Sequence, residues 1–442
     1  MGRVDASDIA DVRKLVSRRT GLISQCVPLE SFDGSGDWYV YASSLGNLDH
    51  IVSGIEHAAD AGADVQLGGA GTAVTTDHAA DIAAVEGLER YSSCVWDDLP
   101  TRWASERQMR ESGDSHLDVM TLATVGENES RTGRAVISKA NLDRPLRWIR
   151  GINLHNRTPA WVPLICTYLF VNPITLGERI WTPISTGCAT YSNAEGALLA
   201  GLLEAVERES IALVWLQKLP CPRLDTESLD PPAVDFIREF ERRGATVSLM
   251  DATTDLGVPT IYCLIRRESQ HAAQIVTCAS ATNGSEAALK ALREAQSTLV
   301  AIETNSAPVP DDVMDFHDTI HGAVYMAHRS RREHFDFLDS SRKRTRVAEM
   351  PRLPDDTGEA LAEVLRRLRR LDMEAYAVDI TTDEGARSGF TSVKVLVPEL
   401  IPLSFVHSTR YLGTSRLYGL PEHFGRDALP EKEINPWPQP FA

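Results

Sequence analysis

The sequence lacks the features that mark secreted, disulfide-bonded and membrane-spanning proteins. Its seven cysteines are scattered, and no two of them form a CxxC pair. Without a secretory leader, such a set is typical of reduced thiols in a cytoplasm. The N-terminus has no apolar signal core, and no apolar run reaches the roughly 20 residues that a membrane span needs. We therefore expect a soluble, cytoplasmic protein with no membrane partner.

Positive charge is also in short supply. The 442 residues include 45 Lys and Arg against 62 Asp and Glu, which gives a formal net charge of −17. This balance disfavours nucleic acid as a partner. Apolar residues make up 43% of the chain, enough for a large core, and no low-complexity linker divides the sequence. We expect one continuous domain over residues 1–442.

Three common catalytic motifs are missing. The glycine cluster at 68–71, which we predict to be a turn, is not followed by the Gly-Lys-Ser/Thr of a P-loop. Neither a GxSxG nucleophile elbow nor an HExxH zinc pair occurs. His317, His321 and His328 fall in a basic stretch, where we expect surface residues rather than zinc ligands. Nucleotide or metal chemistry therefore needs a different set of residues.

What the sequence does contain is a Glu-x-x-Glu-Arg motif that occurs twice. Each copy sits late in an Ala/Leu-rich run of helical periodicity, from which we predict helices over about 77–93 and 193–217. Positions i, i+3 and i+4 share a helix face, so each helix presents two acids and a guanidinium together. The residues are Glu86, Glu89 and Arg90 in the first copy, and Glu204, Glu207 and Arg208 in the second.

Two interpretations of the repeated motif are open at this point. Carboxylates on one helix face bind Mg²⁺, which shares its ligands with nucleotide phosphates, and the arginines pair with phosphate. Alternatively, each copy is an ordinary surface ion pair at i, i+4. A di-iron bundle is disfavoured because it requires Glu-x-x-His. A third predicted helix, about 285–303, carries Lys290 and Glu294 and would complete a phosphate and metal site.

The repeated order of strand, Gly/Ser turn and acid-bearing helix predicts a mixed α/β (α+β) fold with two pseudo-repeated halves. Residues 97–160 are polar and rich in arginine, which indicates an irregular surface insertion that varies between relatives. An amphipathic helix is predicted over 361–371. Strands are predicted at 37–42, 161–171, 178–183, 246–250, 260–266, 376–380 and 391–397.

The last residues, 430–442, form a proline-rich arm. Pro436, Pro438 and Pro440 alternate with other residues, which stiffens the chain toward polyproline II and removes three backbone donors. Such a tail is disordered or docks on another protein, or it is a rigid arm that places the terminal carboxylate of Ala442 at a defined position.

Taken in order, these fragments resemble the YcaO-domain family, specifically the azoline-forming (thiazole/oxazole) cyclodehydratases of ribosomal peptide natural-product biosynthesis. The resemblance covers nearly the whole chain. Both motif copies and the tail carry it, together with the segments 16–23, 185–189, 291–296, 393–402 and 410–421.

The resemblance implies a YcaO-type ATP-binding fold and an enzyme that depends on ATP and Mg²⁺ and acts on a precursor peptide. In that reaction a Cys, Ser or Thr side chain attacks the preceding amide carbon. ATP phosphorylates the amide oxygen, which then leaves as phosphate and gives an azoline ring. Phosphorylation converts a poor leaving group into a good one, while Mg²⁺ and arginine screen the developing charge.

Carried over by position, the resemblance also assigns individual residues. Gly196 departs from it, because the family usually has an acid there, and the neighbouring Glu195 is the candidate substitute. The proline arm would reach the active site, where the carboxylate of Ala442 acts as a base. The implied ligands of Mg²⁺ are Glu86, Glu89, Glu204, Glu207 and Glu294, with Arg90, Ser192, Arg208 and Lys290 also at the nucleotide, and Pro436, Pro438, Pro440 and Ala442 in catalysis.

The resemblance also implies partners. Because the chain begins directly at the YcaO region, we expect a separate E1-like or ThiF-like protein to bind the leader of the precursor peptide. A flavin dehydrogenase and a homodimer are further expectations. Two alternatives are open. One is formation of a thioamide, amidine or macrocycle, against which the tail argues because those relatives generally lack it. The other is a non-catalytic scaffold subunit, for which Gly196 is the only support.

Overall fold

Three β-sheets and the helices that cover them make up the part of the protein that the structure describes. The computed structural model describes residues 10–29, 38–48, 52, 55, 67–96 and 99–441. The strands in this part of the chain are β1 (Gln25–Leu29), β2 (Tyr39–Ser44), β3 (Ala70–Ala73), β4 (Arg102–Ser105), β5 (Pro145–Asn153), β6 (Thr158–Pro163), β7 (Cys188–Tyr191), β8 (Arg223–Leu224), β9 (Thr246–Asp251), β10 (Thr260–Arg266), β11 (Gln274–Ser280), β12 (Arg344–Thr345), β13 (Tyr376–Asp379) and β14 (Thr391–Leu396).

The α-helices vary widely in length, and three of the long ones carry the predicted site. In the same part of the chain they are α1 (Thr76–Ser92), α2 (Glu106–Ser112), α3 (Glu127–Arg131), α4 (Leu164–Thr167), α5 (Ala194–Leu216), α6 (Pro231–Arg242), α7 (Gly284–Thr304), α8 (Thr319–Ala327), α9 (Thr357–Arg370), α10 (Asp383–Arg387) and α11 (Arg416–Gly419). The helices predicted over 77–93, 193–217, 285–303 and 361–371 correspond to α1, α5, α7 and α9.

The sheets are largely antiparallel. One has the order β1-β2-β3, and a second has the order β11-β10-β9-β8-β12, in which β12 runs parallel to β8. The third has the order β4-β5-β13-β14-β7, with β6 paired to β5. Together with the helices, these sheets confirm the predicted mixed α/β fold.

The three longest α-helices in the described residues each follow a strand and are capped at the N-terminus, as β3–α1, β7–α5 and β11–α7. The side chains of Thr75, Asn193 and Asn283 cap the three helices, because each accepts a hydrogen bond from the backbone N–H three residues later, at 3.4, 2.8 and 3.0 Å respectively. The sequence predicts two such units, and the structure adds the third.

Glycines let these helices lie close to the strands. A Cβ at Gly71 of β3 would come within 2.3 Å of the Ala79 carbonyl oxygen of α1. A Cβ at Gly201 of α5 would come within 2.7 Å of the Gly187 carbonyl oxygen, just before β7. A side chain at either position would push the helix away from the strand that its acids contact.

The five-stranded sheet is covered on both faces. Phe236 of α6 and Leu292 of α7 pack with Ile261 against one face. Trp215, near the end of α5, packs with Tyr262 against the other. Alternation of side chains along β10 therefore directs Ile261 and Tyr262 into two separate cores.

Two strand predictions are wrong, in part or completely. The segment predicted at 161–171 ends as a strand at Pro163, and Leu164–Thr167 is a helical turn that is buried throughout. The segment predicted at 178–183 is not a strand. The buried Glu178 accepts hydrogen bonds from the Arg147 side chain at 2.5 Å and from the backbone of Thr175 at 3.0 Å, which hold it in a loop.

The described part of 97–160 is not irregular, contrary to our prediction. It contains β4 and β5, which belong to the third sheet. Trp148 is fully buried and donates a hydrogen bond to the Ala104 carbonyl at 2.9 Å, so the segment contributes to the core. The predicted turn at 68–71 is also partly wrong, because β3 begins at Ala70.

Two further expectations concern membranes and histidines. Among the residues that the structure describes, no helix has both the length and the apolar character that a membrane crossing requires. His317 is exposed and His328 is half-buried, but His321 is buried beside the Phe316 ring, contrary to the expected surface position.

Candidate functional site

The first acid of each motif contacts the strand that precedes its own helix. Glu86 of α1 accepts a hydrogen bond from the Ala70 backbone N–H of β3 at 2.8 Å. Glu204 of α5 accepts one from Gly187, just before β7, at 3.0 Å. Each bond fixes a carboxylate at the edge of its own strand–helix unit.

The second acid of each motif contacts the next unit along the chain. Glu89 of α1 accepts a hydrogen bond from the Thr190 backbone N–H of β7 at 2.9 Å. Glu207 of α5 accepts one from Ser280 of β11 at 3.0 Å. The two pairs of acids therefore hold the three strand–helix units together.

The third helix follows the same register. Glu294 lies eleven residues after the N-cap of α7, as Glu86 and Glu204 do after the N-caps of α1 and α5. Three residues later α7 has Ser297, whose hydroxyl hydrogen-bonds the hydroxyl of Thr72 in β3. This contact closes a ring of three units, and it involves two residues that the sequence analysis missed.

Three cations lie among the five carboxylates. Arg208 donates to Glu204 at 3.0 Å, and Lys290 of α7 donates to Glu207 at 3.3 Å. Arg90 donates to the hydroxyl of Ser185 at 3.0 Å. Five carboxylates and three cations leave a formal excess of two negative charges at the site.

Burial and the neighbouring carboxylates raise the pKa values of two of the acids. Burial, with the charges of Glu204 and Glu86 adding to it, raises the pKa of Glu89 to about 8. Burial and the charge of Glu207 raise the pKa of Glu294 to about 8. Burial alone would lower the pKa of Arg208, but Glu204, Glu207 and Glu294 raise it. The cluster thus favours added positive charge.

The residues present fit Mg²⁺ and a nucleotide phosphate. The donors are carboxylate oxygens, which Mg²⁺ prefers, and the Glu86 side chain is 41% exposed while Glu204 is 20% exposed, so ligands have access. Within the described ranges, no three His, Cys, Asp or Glu side chains converge on one metal position. This matches the way Mg²⁺ binds through one or two carboxylates and takes its remaining ligands from phosphate and water.

Ser192, Glu195 and Gly196 lie between the end of β7 and the first turn of α5. Ser192 is exposed, and it follows by two residues Thr190, whose backbone N–H donates to Glu89. A Cβ at Gly196 would come within 2.3 Å of the Tyr191 ring, so that ring must shift before an acid can fit there. The Glu195 carboxylate lies beside Gly358 in the first turn of α9, so it does not take the place of the missing acid.

The tail is ordered and follows the end of α5. Asn435 donates to the Trp215 carbonyl at 3.0 Å, and the Trp215 indole donates to the Trp437 carbonyl at 3.1 Å. Arg410 donates to the Asn435 carbonyl at 2.7 Å. Of the predicted prolines, Pro438 and Pro440 are buried and Pro436 is exposed. The arrangement corresponds to the rigid arm rather than to a disordered tail.

The last described residue of the arm approaches the carboxylates. The ring of Phe441 lies edge-on to Tyr262, at 5.3 Å between centroids. Tyr262 pairs with Cys278 of β11, and burial together with the charges of Glu207 and Glu294 raises the pKa of that thiol. The arm therefore ends one strand away from the site. Ala442, predicted to supply a base, lies outside the described residues.

A buried lysine holds the backbone next to the site. Lys394 of β14 is fully buried, and its ammonium donates to the Ile184 carbonyl at 2.6 Å. The next residues include Ser185, whose hydroxyl accepts a hydrogen bond from Arg90, and Gly187, whose backbone N–H donates one to Glu204. Sequence reasoning missed this role, although a lysine inside the apolar run 393–397 is a visible signal.

Comparison with known proteins places these features in a family. A family model described as a YcaO cyclodehydratase that binds ATP and Mg²⁺ matches residues 70–401. An uncharacterized protein in the tfuA 3′ region of Rhizobium leguminosarum bv. trifolii is 27% identical over 247 residues, or 52% of this chain and 55% of that protein. An uncharacterized protein of Methanothermobacter thermautotrophicus is 25% identical over 199 residues, or 43% and 46%. The chain thus spans about half the length of these relatives.

Solved structures share the fold at low sequence identity. A heterocyclase in complex with substrate and cofactor has a TM-score of 0.78 at 21% identity, covering 97% of this chain and 56% of that one. YcaO from Methanopyrus kandleri, bound with AMPPCP and Mg²⁺, has a TM-score of 0.61 at 17% identity, covering 88% of both chains. The E. coli microcin synthetase McbBCD complex with pro-MccB17 has a TM-score of 0.62 at 12% identity, covering 96% and 98%.

Proposed function

The chain belongs to the YcaO family of ATP- and Mg²⁺-binding cyclodehydratases, and from this premise we propose that it forms azoline rings from Cys, Ser or Thr residues of a ribosomal precursor peptide. One observation carries the proposal. Five carboxylates and three cations on three helices share a site in which burial and neighbouring charges raise the pKa of Glu89 and Glu294 to about 8, so the site favours the added positive charge that Mg²⁺ brings.

The residues of the site divide into two roles. We assign Glu86, Glu89, Glu204, Glu207 and Glu294 to holding Mg²⁺ ions, with no more than two of these carboxylates on any one ion. Arg90, Arg208 and Lys290 contact the phosphates, because each is already positioned by a hydrogen bond to a neighbouring side chain and pays little ordering entropy on binding. ATP bound there would supply the phosphoryl group that makes the amide oxygen a leaving group, and Mg²⁺ would neutralise the charge of its phosphates.

The proline arm supplies the proton acceptor in this proposal. The nucleophile of the peptide must lose a proton as it attacks, and the cyclised amide nitrogen must lose another. The carboxylate of Ala442 is one residue beyond Phe441, which packs on Tyr262 next to the strand that Glu207 contacts. Pro438 and Pro440 restrict the backbone of the arm as far as Phe441.

Partners follow from the chemistry. A ribosomal precursor needs a leader-binding protein, which we propose is E1-like or ThiF-like, and azole products need a flavin dehydrogenase. The microcin synthetase relative, solved as a complex with pro-MccB17, supports an assembly of this kind. A homodimer remains part of the proposal.

The decisive experiment combines the chain with ATP, Mg²⁺, the partner and the peptide, and reads the masses of the products. Loss of one water per ring with release of phosphate supports the proposal. Exchange of oxygen for sulfur indicates thioamide formation instead, and an absence of ATP consumption indicates a scaffold subunit.

Two variants make the test specific to the site. Glu207→Gln retains a hydrogen-bond acceptor for Ser280 but removes the charge, and turnover should fall at least about 100-fold, the upper end of the loss for residues that merely support a metal ligand. Glu195→Gln, on the same helix but directed at α9, should retain activity. Equal activity of both variants would reject the assignment.

Deletion of residues 438–442 tests the arm. Ring formation should be lost, while the carboxylate site still binds the nucleotide with Mg²⁺. Because the deletion also removes the buried Phe441 ring, the matched variant is deletion of Ala442 alone, which moves the terminal carboxylate without changing that packing. Full activity of the shorter deletion would show that the carboxylate position is unimportant.

A further inference from the structure

A basic recess lies at the edge of the five-stranded sheet, away from the carboxylates. It is a cavity of about 520 Å³, a size typical of small-molecule sites. One side is formed by the segment 340–343 and the other by 423–426. The lining includes Arg342, Lys343, Phe424, Arg426 and Asp251.

The cations of the basic recess have no carboxylate partners. Among the residues that the structure describes, Arg342, Lys343 and Arg426 form no ion pair, whereas many arginines of this chain do. The two sides of the recess approach each other, since the Lys343 ammonium lies 3.9 Å from the position of a Cβ at Gly425. In a chain with a net charge of −17, three unpaired cations around one cavity are a site that a bound anion would neutralise.

The other lining residues define what kind of anion fits. Asp251 is the acidic residue of the lining, and its one negative charge against three cations leaves a formal excess of two positive charges. Ser340 and Ser341 add hydroxyl donors. Phe424 supplies an apolar surface on which an organic group can pack.

We propose that the basic recess binds a phosphorylated small molecule, with Arg342, Lys343 and Arg426 contacting the phosphate oxygens. A phosphate carries close to two charges and three oxygens that accept hydrogen bonds, so it uses three cations and neighbouring hydroxyls together. A carboxylate has two oxygens and one charge, and one arginine satisfies it. The number of donors therefore favours phosphate.

The basic recess is separate from the carboxylate site but at the same end of the sheet. Asp251 pairs with Ile261, which pairs with Ala279, the residue before Ser280. Two strand spacings separate Asp251 from Ala279, about 10 Å. The inference does not depend on the proposed function, because it rests on residues that have no part in the carboxylate cluster.

Calorimetry with pyrophosphate tests the proposal. The full chain is titrated in the presence of a chelator, so that the metal-free carboxylates repel the anion. Pyrophosphate should bind, and the double variant R342Q/R426Q should bind it at least about tenfold more weakly for each arginine removed. The matched control is R387Q, which changes an arginine that is about four-fifths exposed and paired with Asp383 on α10.

The outcomes separate the proposal from its competitors. Loss of binding in R342Q/R426Q but not in R387Q, with both variants melting at the parent temperature, supports a phosphate site. Unchanged affinity in the double variant overturns it, as does citrate binding as tightly as pyrophosphate. If the double variant melts lower, the single variant K343Q repeats the test without altering either arginine.

Discussion

The hydroxyl of Ser297 hydrogen-bonds the hydroxyl of Thr72, and this contact joins the third strand–helix unit to the first. Ser297 occupies the position at which α1 and α5 have Glu89 and Glu207. At this equivalent position of the helix, the contact with another unit is therefore made by a carboxylate in α1 and α5 and by a hydroxyl in α7. The site is consequently richer in acid on α1 and α5 than on α7.

Replacing Thr72 by valine tests the structural role of this closure. The side chain keeps its shape but loses the hydroxyl, so the free energy of unfolding should fall by about 1 kcal/mol, the usual contribution of one hydrogen bond. Chemical denaturation measures the change. Thr101→Val, at an exposed position before β4, should leave stability unaltered. Equal stability of both variants would mean that the contact contributes nothing.

The stability of the metal-free protein should fall as the pH rises toward about 8. Glu89 and Glu294, whose folded pKa values are about 8, hold protons near neutral pH that the unfolded chain has released. The folded state therefore binds more protons, and its advantage disappears as the pH passes through the folded pKa. Each group contributes at most about 1.4 kcal/mol per pH unit.

Denaturation between pH 6 and 9 checks this dependence. The double variant E89Q/E294Q should show a flatter profile than the parent, because it has no such protons to release. Mg²⁺ with a non-hydrolysable ATP analogue should also flatten it, since bound cations replace the protons. A parent profile that rises with pH would contradict the predicted sign.

Substituting Gly196 by glutamate should destabilise the protein rather than add a metal ligand. The Cβ would lie 2.3 Å from the Tyr191 ring, so this half-exposed ring must move, at a cost of about 0.5–1.5 kcal/mol if the side chain leaves its rotamer. The double variant G196E/Y191A removes the obstacle and should recover stability. Thermal melting distinguishes the two, and a G196E protein as stable as the parent would contradict this reading.

Replacing Lys394 by methionine should weaken both the fold and nucleotide binding. The Ile184 carbonyl would lose its buried donor, a cost of about 1–3 kcal/mol. The neighbouring residues 185–187 would then hold Arg90 and Glu204 less firmly. Titration with an ATP analogue and Mg²⁺ measures the second effect. Lys290→Met, which removes a direct contact, should weaken binding without an equal loss of stability.

The sequence predicts the acid-bearing helices well because two signals coincide there. A helical period and a pair of acids mark α1 and α5, and Lys290 with Glu294 marks α7. The contact of Ser297 with Thr72 could not be predicted, because a serine in a helix gives no indication of its hydrogen-bond partner. The close approach of the helices depends on pairings between strands distant in sequence.

The prediction for 97–160 was wrong for a different reason. Arginine there suggested solvent, but the planar guanidinium stacks on aromatic rings. Arg150 lies 3.9 Å from the centre of the Trp161 ring, and Arg147 lies 5.4 Å from that of Trp103. Arg147 also pairs with the buried Glu178. Charge in this segment marks packed ion pairs and cation–π contacts, which composition alone does not distinguish from an exposed surface.

The place of β7 in its sheet has a consequence for when the site forms. β7 lies at the end of the order β4-β5-β13-β14-β7, and its pairing runs from Cys188–Tyr191 to Thr391–Lys394, some two hundred residues later. Glu89 takes its hydrogen bond from this strand. During synthesis the first two acid helices emerge long before β14 does. The carboxylates therefore lack the paired strands that position them until the last quarter of the chain has left the ribosome.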